Sequence, residues 1–322
     1  MANYKEIHGV KVQYRDSDAT AVEGDIWYNR STGLLRMYTS IGSWATGNDA
    51  NGASLRQAGF GTQTAAVKVG GNSPGANCEL YDGSSWTEVA NLTTGRMYLS
   101  GAGTTTAGLA FGGLPAPIAQ LSEEWNGASW AEGDDLNTDS ELPMGLGTQT
   151  AALCCGAGPG GGSTKVEQYD GSSWTEIADL NTARSTGATT GRGTTTDCLT
   201  FGGWQAPGTT RSALTEAFNG TSWTEVGDMG TARYYNGGAG TSTTSAITFG
   251  GAVTDPPGAN ANTESYDGSS WSEVGDLNVG RRAGSAAGTS TSALYFCGYP
   301  SPPGALTEEW DMATTVETVA FD

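Results

Sequence analysis

The sequence predicts an all-β fold in which six similar four-stranded antiparallel sheets stand in a ring, behind a small N-terminal β-hairpin. Three observations lead to this prediction. The chain of 322 residues contains 50 glycines together with 10 tryptophans and 12 tyrosines, a composition typical of many short strands joined by tight turns. An aromatic phrase recurs six times at a nearly constant spacing. A short apolar strand that ends in glycine precedes every copy.

The number of copies of the aromatic phrase predicts the number of blades. It reads ELYDGSSWTEV from Glu79 to Val89, and its aromatic anchors are 44, 44, 49, 48 and 44 residues apart along the chain. A period of about 40–50 residues is expected for four-stranded propeller blades. The further copies begin at Glu123, Glu167, Glu216, Glu264 and Glu308, the last one decayed. The sequence therefore predicts a six-bladed β-propeller over residues 53–322 and a separate N-terminal segment over residues 1–52.

Each repeat is predicted to contain strand a, a tight turn, strand b, a variable loop, strand c, a second turn and strand d. Strand b ends in Gly-Gly in most copies, as at Gly70-Gly71. The turn between strands c and d carries Asp-Gly or Asn-Gly, as at Asp82-Gly83. This pair is favoured in two-residue hairpin turns, whose central residues need positive φ. We therefore interpret the aspartates as turn residues and not as metal ligands or catalytic acids.

An arginine, a strand ending in Gly-Gly, an aromatic residue and a tryptophan follow one another in most repeats, and together they resemble the kelch repeat. The resemblance covers roughly residues 53–322 and implies a β-propeller that serves as a binding scaffold, since few proteins of this family are enzymes. The second copy of the arginine position departs from the pattern and reads Asp139-Ser140. The repeat arginines are Arg96, Arg184, Arg233 and Arg281.

Two sets of repeated side chains are predicted to hold the blades together. The tryptophans of strand d offer a large apolar area and are expected to fill the space between neighbouring blades. The glutamates two residues before the anchors are expected to accept hydrogen bonds from backbone amides or from the repeat arginine, because a buried carboxylate without partners costs several kcal/mol. These structural residues are Trp86, Trp130, Trp174, Trp223 and Trp271, and Glu79, Glu123, Glu167, Glu216, Glu264 and Glu308.

The charge of the chain argues against two classes of partner. It carries 34 acidic and 15 basic residues, which gives a formal net charge of −19. Binding to nucleic acid needs clustered lysines and arginines, and binding to an anionic membrane surface needs the same. No stretch approaches the roughly 18 apolar residues of a transmembrane helix, and the first residues lack the apolar core of a signal peptide. We expect neither nucleic acid nor membrane insertion.

The sequence offers little for catalysis. His8 is the only histidine, so we do not expect a Ser-His-Asp or Cys-His site. The spacing of the cysteines fits neither a CxxC pair nor a disulfide scaffold, and we interpret them as small buried residues on strands. The chain is predicted to be non-enzymatic, with no cofactor and no metal. The five cysteines are Cys78, Cys154, Cys155, Cys198 and Cys297.

The variable loops between strands b and c are the predicted binding region, because function tends to lie on loops carried by a rigid scaffold. Trp204 and Tyr299 are the binding candidates on these loops. An exposed aromatic ring suits stacking on a sugar or docking of a protein. The alternative is that both rings cover the end of a blade.

The N-terminal segment is not a copy of the repeat. Two apolar runs flank 29–33 and predict a hairpin. The segment GDIWYN…TG, which starts at Gly24, resembles a short stretch found in tail-fibre and other virion proteins of phages, and acidic Gly/Thr/Ser-rich kelch-like propellers are similar to marine phage proteins. Each repeat is expected to contain all four strands of its blade. The alternative is that Trp44 belongs to an incomplete seventh blade.

The resemblances imply a non-enzymatic phage virion protein that is made in the host cytoplasm. The N-terminal segment would bind other virion proteins, and the propeller would be displayed for protein docking or for attachment to a host-surface glycan. The alternative is a cellular kelch-type interaction module or a lectin. A third hypothesis is a glycan-active enzyme.

Overall fold

The computed structural model describes residues 13–17, 25–72, 74–156, 158, 162–205, 210–254, 258–299 and 304–319. Within these ranges the regular secondary structure consists of β-strands. None of the described segments forms a helix that is long and apolar enough to cross a membrane. The chain divides into an N-terminal unit, formed by residues 1–43 with 312–322, and a ring unit formed by Trp44–Asp311.

The N-terminal unit contains the predicted hairpin, which is confirmed. β2 pairs antiparallel with β3, with Asn29 opposite Leu34, and β1 pairs in parallel with β2. The Asn29 carboxamide oxygen accepts hydrogen bonds from the Ser31 and Thr32 amides at 3.0 and 3.1 Å, as turn asparagines commonly do. The strands are β1 (Gln13–Arg15), β2 (Ile26–Asn29) and β3 (Leu34–Thr46), of which β3 ends inside the ring unit.

Five blades of the ring are built from contiguous chain, each an antiparallel sheet with its strands in chain order. The first has β4 (Ala58–Thr62), β5 (Ala65–Val69), β6 (Cys78–Tyr81) and β7 (Trp86–Val89); the second has β8 (Ser100–Gly103), β9 (Gly108–Phe111), β10 (Ser122–Trp125) and β11 (Trp130–Glu132). The third has β12 (Met144–Thr148), β13 (Ala151–Cys155), β14 (Val166–Tyr169) and β15 (Trp174–Glu176).

The fourth blade is accompanied by a small three-stranded sheet at its b–c loop. That sheet has β16 (Arg184–Ser185), β19 (Trp204–Gln205) and β20 (Thr210–Arg211), and the blade itself has β17 (Ala188–Thr189), β18 (Cys198–Phe201), β21 (Thr215–Phe218) and β22 (Trp223–Glu225). The fifth blade has β23 (Gly237–Ser242), β24 (Ser245–Phe249), β25 (Thr263–Tyr266) and β26 (Trp271–Glu273).

The sixth blade differs, because its outer strand comes from the other end of the chain. It contains β27 (Ser285–Gly288), β28 (Ser292–Phe296) and β29 (Thr307–Thr318), and β3 lies next to β29 in the sheet. The Gly47 amide donates to the Thr307 carbonyl at 2.9 Å. The prediction that every repeat contains all four strands is therefore wrong for this blade. Trp44 belongs to the sixth blade and not to a seventh, and the ring begins at Trp44 and not at residue 53.

The innermost strands close the ring. β4, β8, β12, β17, β23 and β27 contact one another in this order, and β27 contacts β4. The predicted fold class, an all-β six-bladed propeller with a small N-terminal hairpin, is confirmed.

The turns between strands c and d differ in detail from the prediction. Tyr81 lies opposite Trp86 in the ladder, so the connecting loop has four residues and not two. Gly83 alone takes the left-handed conformation, with φ of +90°. The Asp82 carboxylate accepts hydrogen bonds from the amides of Ser85 and Ser84 and from the Ser84 hydroxyl at 2.7–2.9 Å. These hydrogen bonds, with the Ser85 amide first among them, lower the pKa of Asp82 to about 2.

The tryptophans of strand d pack against the preceding blade. Trp86 of the first blade contacts the Phe296 ring of the sixth at 4.9 Å between centroids, and its indole nitrogen donates to the Thr307 hydroxyl at 3.0 Å. Trp44 repeats both contacts one blade earlier, against Phe249 at 4.8 Å and Thr263 at 3.1 Å. The same ring contact joins Trp174 to Phe111 and Trp271 to Phe201. Trp130 and Trp223 lie in the clusters formed with the first and third blades.

The six glutamates are buried, and each accepts hydrogen bonds from two backbone amides in the connection that enters its blade. Glu216, for example, accepts from the amides of Asn181 and Thr182 at 2.7 and 3.2 Å and pairs with Arg184. Glu167 has Ser140 at the arginine position and accepts from Asn137 and Thr138. The other pairs are Glu79 with Lys68, Glu123 with Arg96, Glu264 with Arg233 and Glu308 with Arg281.

Candidate functional site

One face of the ring unit carries the loops between strands b and c together with the connections from strand d to the next strand a. We call it the b–c loop face. On this face, one residue from each blade lies near the central axis. It is the residue two positions before the first residue of strand a. Main-chain hydrogen bonds join these residues, for example from the Tyr98 amide to the Arg56 carbonyl at 2.6 Å and from the Tyr235 amide to the Thr186 carbonyl at 2.7 Å. We call the set Arg56, Tyr98, Leu142, Thr186, Tyr235 and Ala283 the axial ring.

The axial ring holds an uncommon backbone conformation. Arg56, Tyr98, Thr186, Tyr235 and Ala283 all have φ between 55° and 65°. This left-handed conformation costs a non-glycine residue on the order of 1–3 kcal/mol and persists where the surrounding structure enforces it. All six residues of the axial ring line one small cavity of about 100 Å³. The six residues therefore surround the mouth of the central channel.

Two tyrosines of the axial ring meet across the axis. Tyr98 belongs to the second blade and Tyr235 to the fifth, so they come from opposite sides of the ring. Their rings stack at 6.0 Å between centroids with an interplanar angle of 26°, and their hydroxyl oxygens lie 3.3 Å apart. Burial raises the pKa of Tyr235 above its usual value. The hydroxyl therefore stays protonated, and the tyrosine pair narrows the channel mouth.

A larger cavity of about 650 Å³ opens beside this pair, and we call it the axial basin. Its size lies within the range of about 300–1,000 Å³ that is usual for small-ligand sites. The Arg56 guanidinium lies over the Tyr98 ring at 4.6 Å from its centroid, and the Arg282 guanidinium lies over the Tyr299 ring at 4.5 Å. The basin is lined by Leu55, Arg56, Asn72, Tyr235, Arg282, Ala283 and Tyr299.

The two arginines of the basin differ from the repeat arginines in their partners. Each repeat arginine pairs with a buried glutamate. Among the residues that the structure describes, no carboxylate oxygen lies within 4.0 Å of Arg56 or Arg282. The Arg282 Nε atom is buried and has no hydrogen-bond partner among the described residues, a feature that it shares with the Nε atoms of the repeat arginines Arg96 and Arg281. The axial basin thus carries two cations on a chain whose formal net charge is −19.

Both loop aromatics chosen from the sequence lie on this face. Tyr299 lines the basin with 43% of its surface exposed. Trp204 is half-buried in β19, opposite Arg211, and its ring contacts Tyr234 at 4.8 Å. Tyr234 contacts Tyr235 at 4.8 Å, so a row of rings runs from the fourth blade to the basin. Parts of the loops, including 206–209 and 300–303, lie outside the described residues.

Sequence reasoning missed most of the basin. Arg56, Tyr98 and Tyr235 belong to the connections between blades and not to the b–c loops, and Arg282 follows a repeat arginine. The available signal was a fixed spacing, because the axial-ring residue follows the repeat arginine position by two residues, as Tyr98 follows Arg96 and Tyr235 follows Arg233. The repeated tryptophans and glutamates lie inside and between the blades and not in the basin.

The cysteines are buried and unbridged. Burial raises the pKa of the Cys78 and Cys154 thiols to about 12, so both are protonated at neutral pH and poor nucleophiles. Across the described ranges, no cluster of three or more His, Cys, Asp or Glu side chains could hold a metal ion. His8 lies outside these ranges.

Comparison with known proteins supports the fold. No protein-family model matches the chain, and no curated protein matches it in sequence. The solved structure of YjhT is similar, with a TM-score of 0.66 and 14% sequence identity over 84% of this chain and 99% of that one. This likeness shows that the two proteins share a β-propeller fold. An identity of 14% carries no information on shared activity, because one fold hosts many functions.

Proposed function

We propose that this chain is a non-enzymatic binding module that presents its b–c loop face to a glycan or a protein. The observation that supports this proposal is the axial basin, where two arginines and two tyrosines from three blades converge on a cavity of about 650 Å³. A concave site with a few convergent polar groups is the expected form of a ligand site. The strained backbone of the axial ring strengthens the argument, because such conformations cluster at ligand sites.

Binding is favoured over glycan hydrolysis by the residues of the basin. Glycosidases typically use two carboxyl groups on either side of the scissile bond. Among the described residues that line the basin, none is an aspartate, a glutamate or a histidine. The basin provides cations, phenol rings and one carboxamide, which suit recognition better than proton transfer.

A place on a phage particle is part of the same proposal. It rests on the resemblance of the segment from Gly24 to Tyr38 to virion proteins, with the N-terminal unit as the attachment to other virion proteins. The alternative is a cellular kelch-type interaction module or a lectin. Mass spectrometry of purified particles separates the two. Recovery of the chain from particles at a fixed copy number is expected for a virion protein, and its absence there would favour the cellular module.

Binding through the b–c loop face can be tested on a glycan array with the full chain and two matched variants. Tyr299→Ala removes the exposed ring of the basin and should lower binding by at least about tenfold. Tyr28→Ala removes a ring with a similar exposure, 38% against 43%, from the N-terminal unit and should leave binding unchanged. Equal binding by both variants would argue that the ligand contacts another surface.

A further inference from the structure

The arrangement of Arg56 and Arg282 points to the charge of the ligand. Both guanidinium groups stack on a tyrosine ring. Stacking uses the face of the guanidinium and leaves its N–H groups at the edge for hydrogen bonds. The Nε atom of Arg282 is itself buried against the protein, so the terminal nitrogens of the two guanidinium groups are the donors left for a ligand. A bound anion with two oxygens would satisfy these donors through a forked pair of hydrogen bonds.

The main chain holds the two cations near one cavity. The Arg56 amide donates to the Ala283 carbonyl at 2.9 Å, so Arg56 lies beside the residue that follows Arg282. Arg282 and Tyr299 exchange two main-chain hydrogen bonds of 2.9 and 2.8 Å. Because both arginines line one cavity and no described carboxylate neutralises them, an anionic ligand bound there would stabilise this arrangement.

The rest of the basin suits a sugar. Tyr299 offers an exposed ring for stacking, and aromatic rings bury a large area at a low cost in conformational entropy. The Asn72 side-chain nitrogen donates to the Ala53 carbonyl at 3.0 Å, which directs the carboxamide oxygen away from that bond as an acceptor for a hydroxyl. We infer that the axial basin binds a saccharide that carries a carboxylate or a sulfate, with Arg56 and Arg282 holding the anionic group. This inference rests on the proposed binding function.

The test is isothermal titration of the full chain with three probes at 50 mM salt. Trigalacturonate carries carboxylates, its full methyl ester has the same rings without charge, and a carrageenan tetrasaccharide carries sulfates. We expect at least one acidic probe to bind, and the methyl ester to bind at least about tenfold more weakly than trigalacturonate if the carboxylate is the recognised group. Binding of the carrageenan alone would assign the site to sulfate.

Variants connect this binding to the basin. Arg282→Gln and Arg56→Gln should each weaken binding of the acidic probe at least about tenfold, and raising the salt to 500 mM should weaken it in the native protein. Lys165→Gln removes an exposed cation that pairs with Glu176 outside the basin and serves as the matched control. Circular dichroism melting curves should coincide for all three variants.

Three results would overturn the inference. The first is equal affinity for trigalacturonate and its ester, together with no effect of Arg282→Gln on that affinity. The second is a loss of affinity in Lys165→Gln as large as the loss in the two arginine variants. The third is no binding of either acidic probe at millimolar concentration. In these cases a Tyr299-dependent signal on the glycan array would still support the binding function. Loss of that signal as well would overturn both proposals.

Discussion

The sixth blade and the other five reach the same geometry from different sequences. In five blades all four strands follow one another along the chain, whereas the sixth takes its outer strand from β3. The local contacts are nevertheless the same. The Asn278 side-chain nitrogen donates to the Trp44 carbonyl at 3.1 Å and to Glu308 at 2.9 Å. A blade is therefore defined by its contacts and not by the boundaries of the sequence repeat.

The difference lies in what the contacts connect. Within the sixth blade, Trp44 packs on Trp310 from the other end of the chain at 5.5 Å between ring centroids, whereas in the third blade Tyr169 and Trp174 pair across one short turn. Closing a long loop costs more conformational entropy, although the cost grows only slowly with length. The sixth blade therefore joins the two ends of the ring by a β-ladder as well as by side-chain packing.

Removing the closing strand should have the largest effect. Deletion of residues 1–45 removes Trp44 and nearly all of β3, and we expect a loss of more than about 5 kcal/mol, comparable with the whole stability of a typical domain. Deletion of residues 1–33 keeps β3 and is the control, which we expect to melt cooperatively near the native temperature. Differential scanning calorimetry measures both. A native melting curve for the longer deletion would show that the ring closes without β3.

Two tryptophan substitutions compare the closing blade with a contiguous one. Trp44→Ala and Trp174→Ala each remove a buried ring that contacts a phenylalanine of the preceding blade. Each should destabilise the protein by about 3–5 kcal/mol, as for other large core aromatics. Urea denaturation followed by circular dichroism measures the loss. A much smaller loss for Trp44→Ala would mean that the sixth blade does not share the packing of the others.

Two asparagines allow a comparison with a smaller expected effect, because each donates hydrogen bonds to a strand d carbonyl and to the repeat glutamate of the same blade. Asn278 bonds the Trp44 carbonyl and Glu308, and Asn181 bonds the Trp223 carbonyl and Glu216. Replacing either with alanine leaves a buried carboxylate with one donor fewer and should cost about 1–2 kcal/mol. Equal losses in denaturant titrations would support equivalent blades. A loss for Asn181→Ala alone would contradict the equivalence.

The smallest effect should appear at alkaline pH. Burial raises the pKa of Cys297 in the sixth blade to about 11 and that of Cys154 in the third to about 12, from 9.0. Because the folded state holds these protons more tightly, their contribution to stability is complete below pH 9 and is lost as the pH rises towards 11–12. Each thiol should account for about 1 kcal/mol of the loss between pH 9 and 10.

Alanine variants at the two cysteines separate the contributions. Cys297→Ala and Cys154→Ala should each reduce the difference between the free energies of unfolding at pH 8.5 and pH 10, measured by urea titration. An alkaline loss that is unchanged in both variants would assign it to other groups, such as Tyr295, whose pKa is raised by burial to about 12.

The sequence predicted the blades because each one depends on local patterns. The spacing of the aromatic anchors gave their number, and the runs around Asn29 gave the hairpin. The outer strand of the sixth blade was missed, because the decayed copy at Glu308 lacks the strand d tryptophan and its replacement, Trp44, lies in a segment without the repeat. Pairing between distant segments leaves no periodic signal in either one.

The binding candidates show the same limit. Tyr299 and Trp204 could be chosen because an aromatic residue on a variable loop is conspicuous. Arg56 and Tyr235 could not, since they come from connections of different blades that only the closed ring brings together. Their left-handed backbone was equally hidden, because neither residue is a glycine or asparagine, the types that usually indicate this conformation.

In the axial ring, the main chain makes the contacts between blades, and the side chains line the channel mouth. Main-chain hydrogen bonds join five of the ring's six neighbouring pairs, and any residue except proline has the N–H that such a bond requires. The side chains it carries, among them arginine, leucine, threonine and alanine, are not needed for those bonds. Substitutions at single positions of the axial ring can therefore change which groups line the channel mouth without changing the propeller fold.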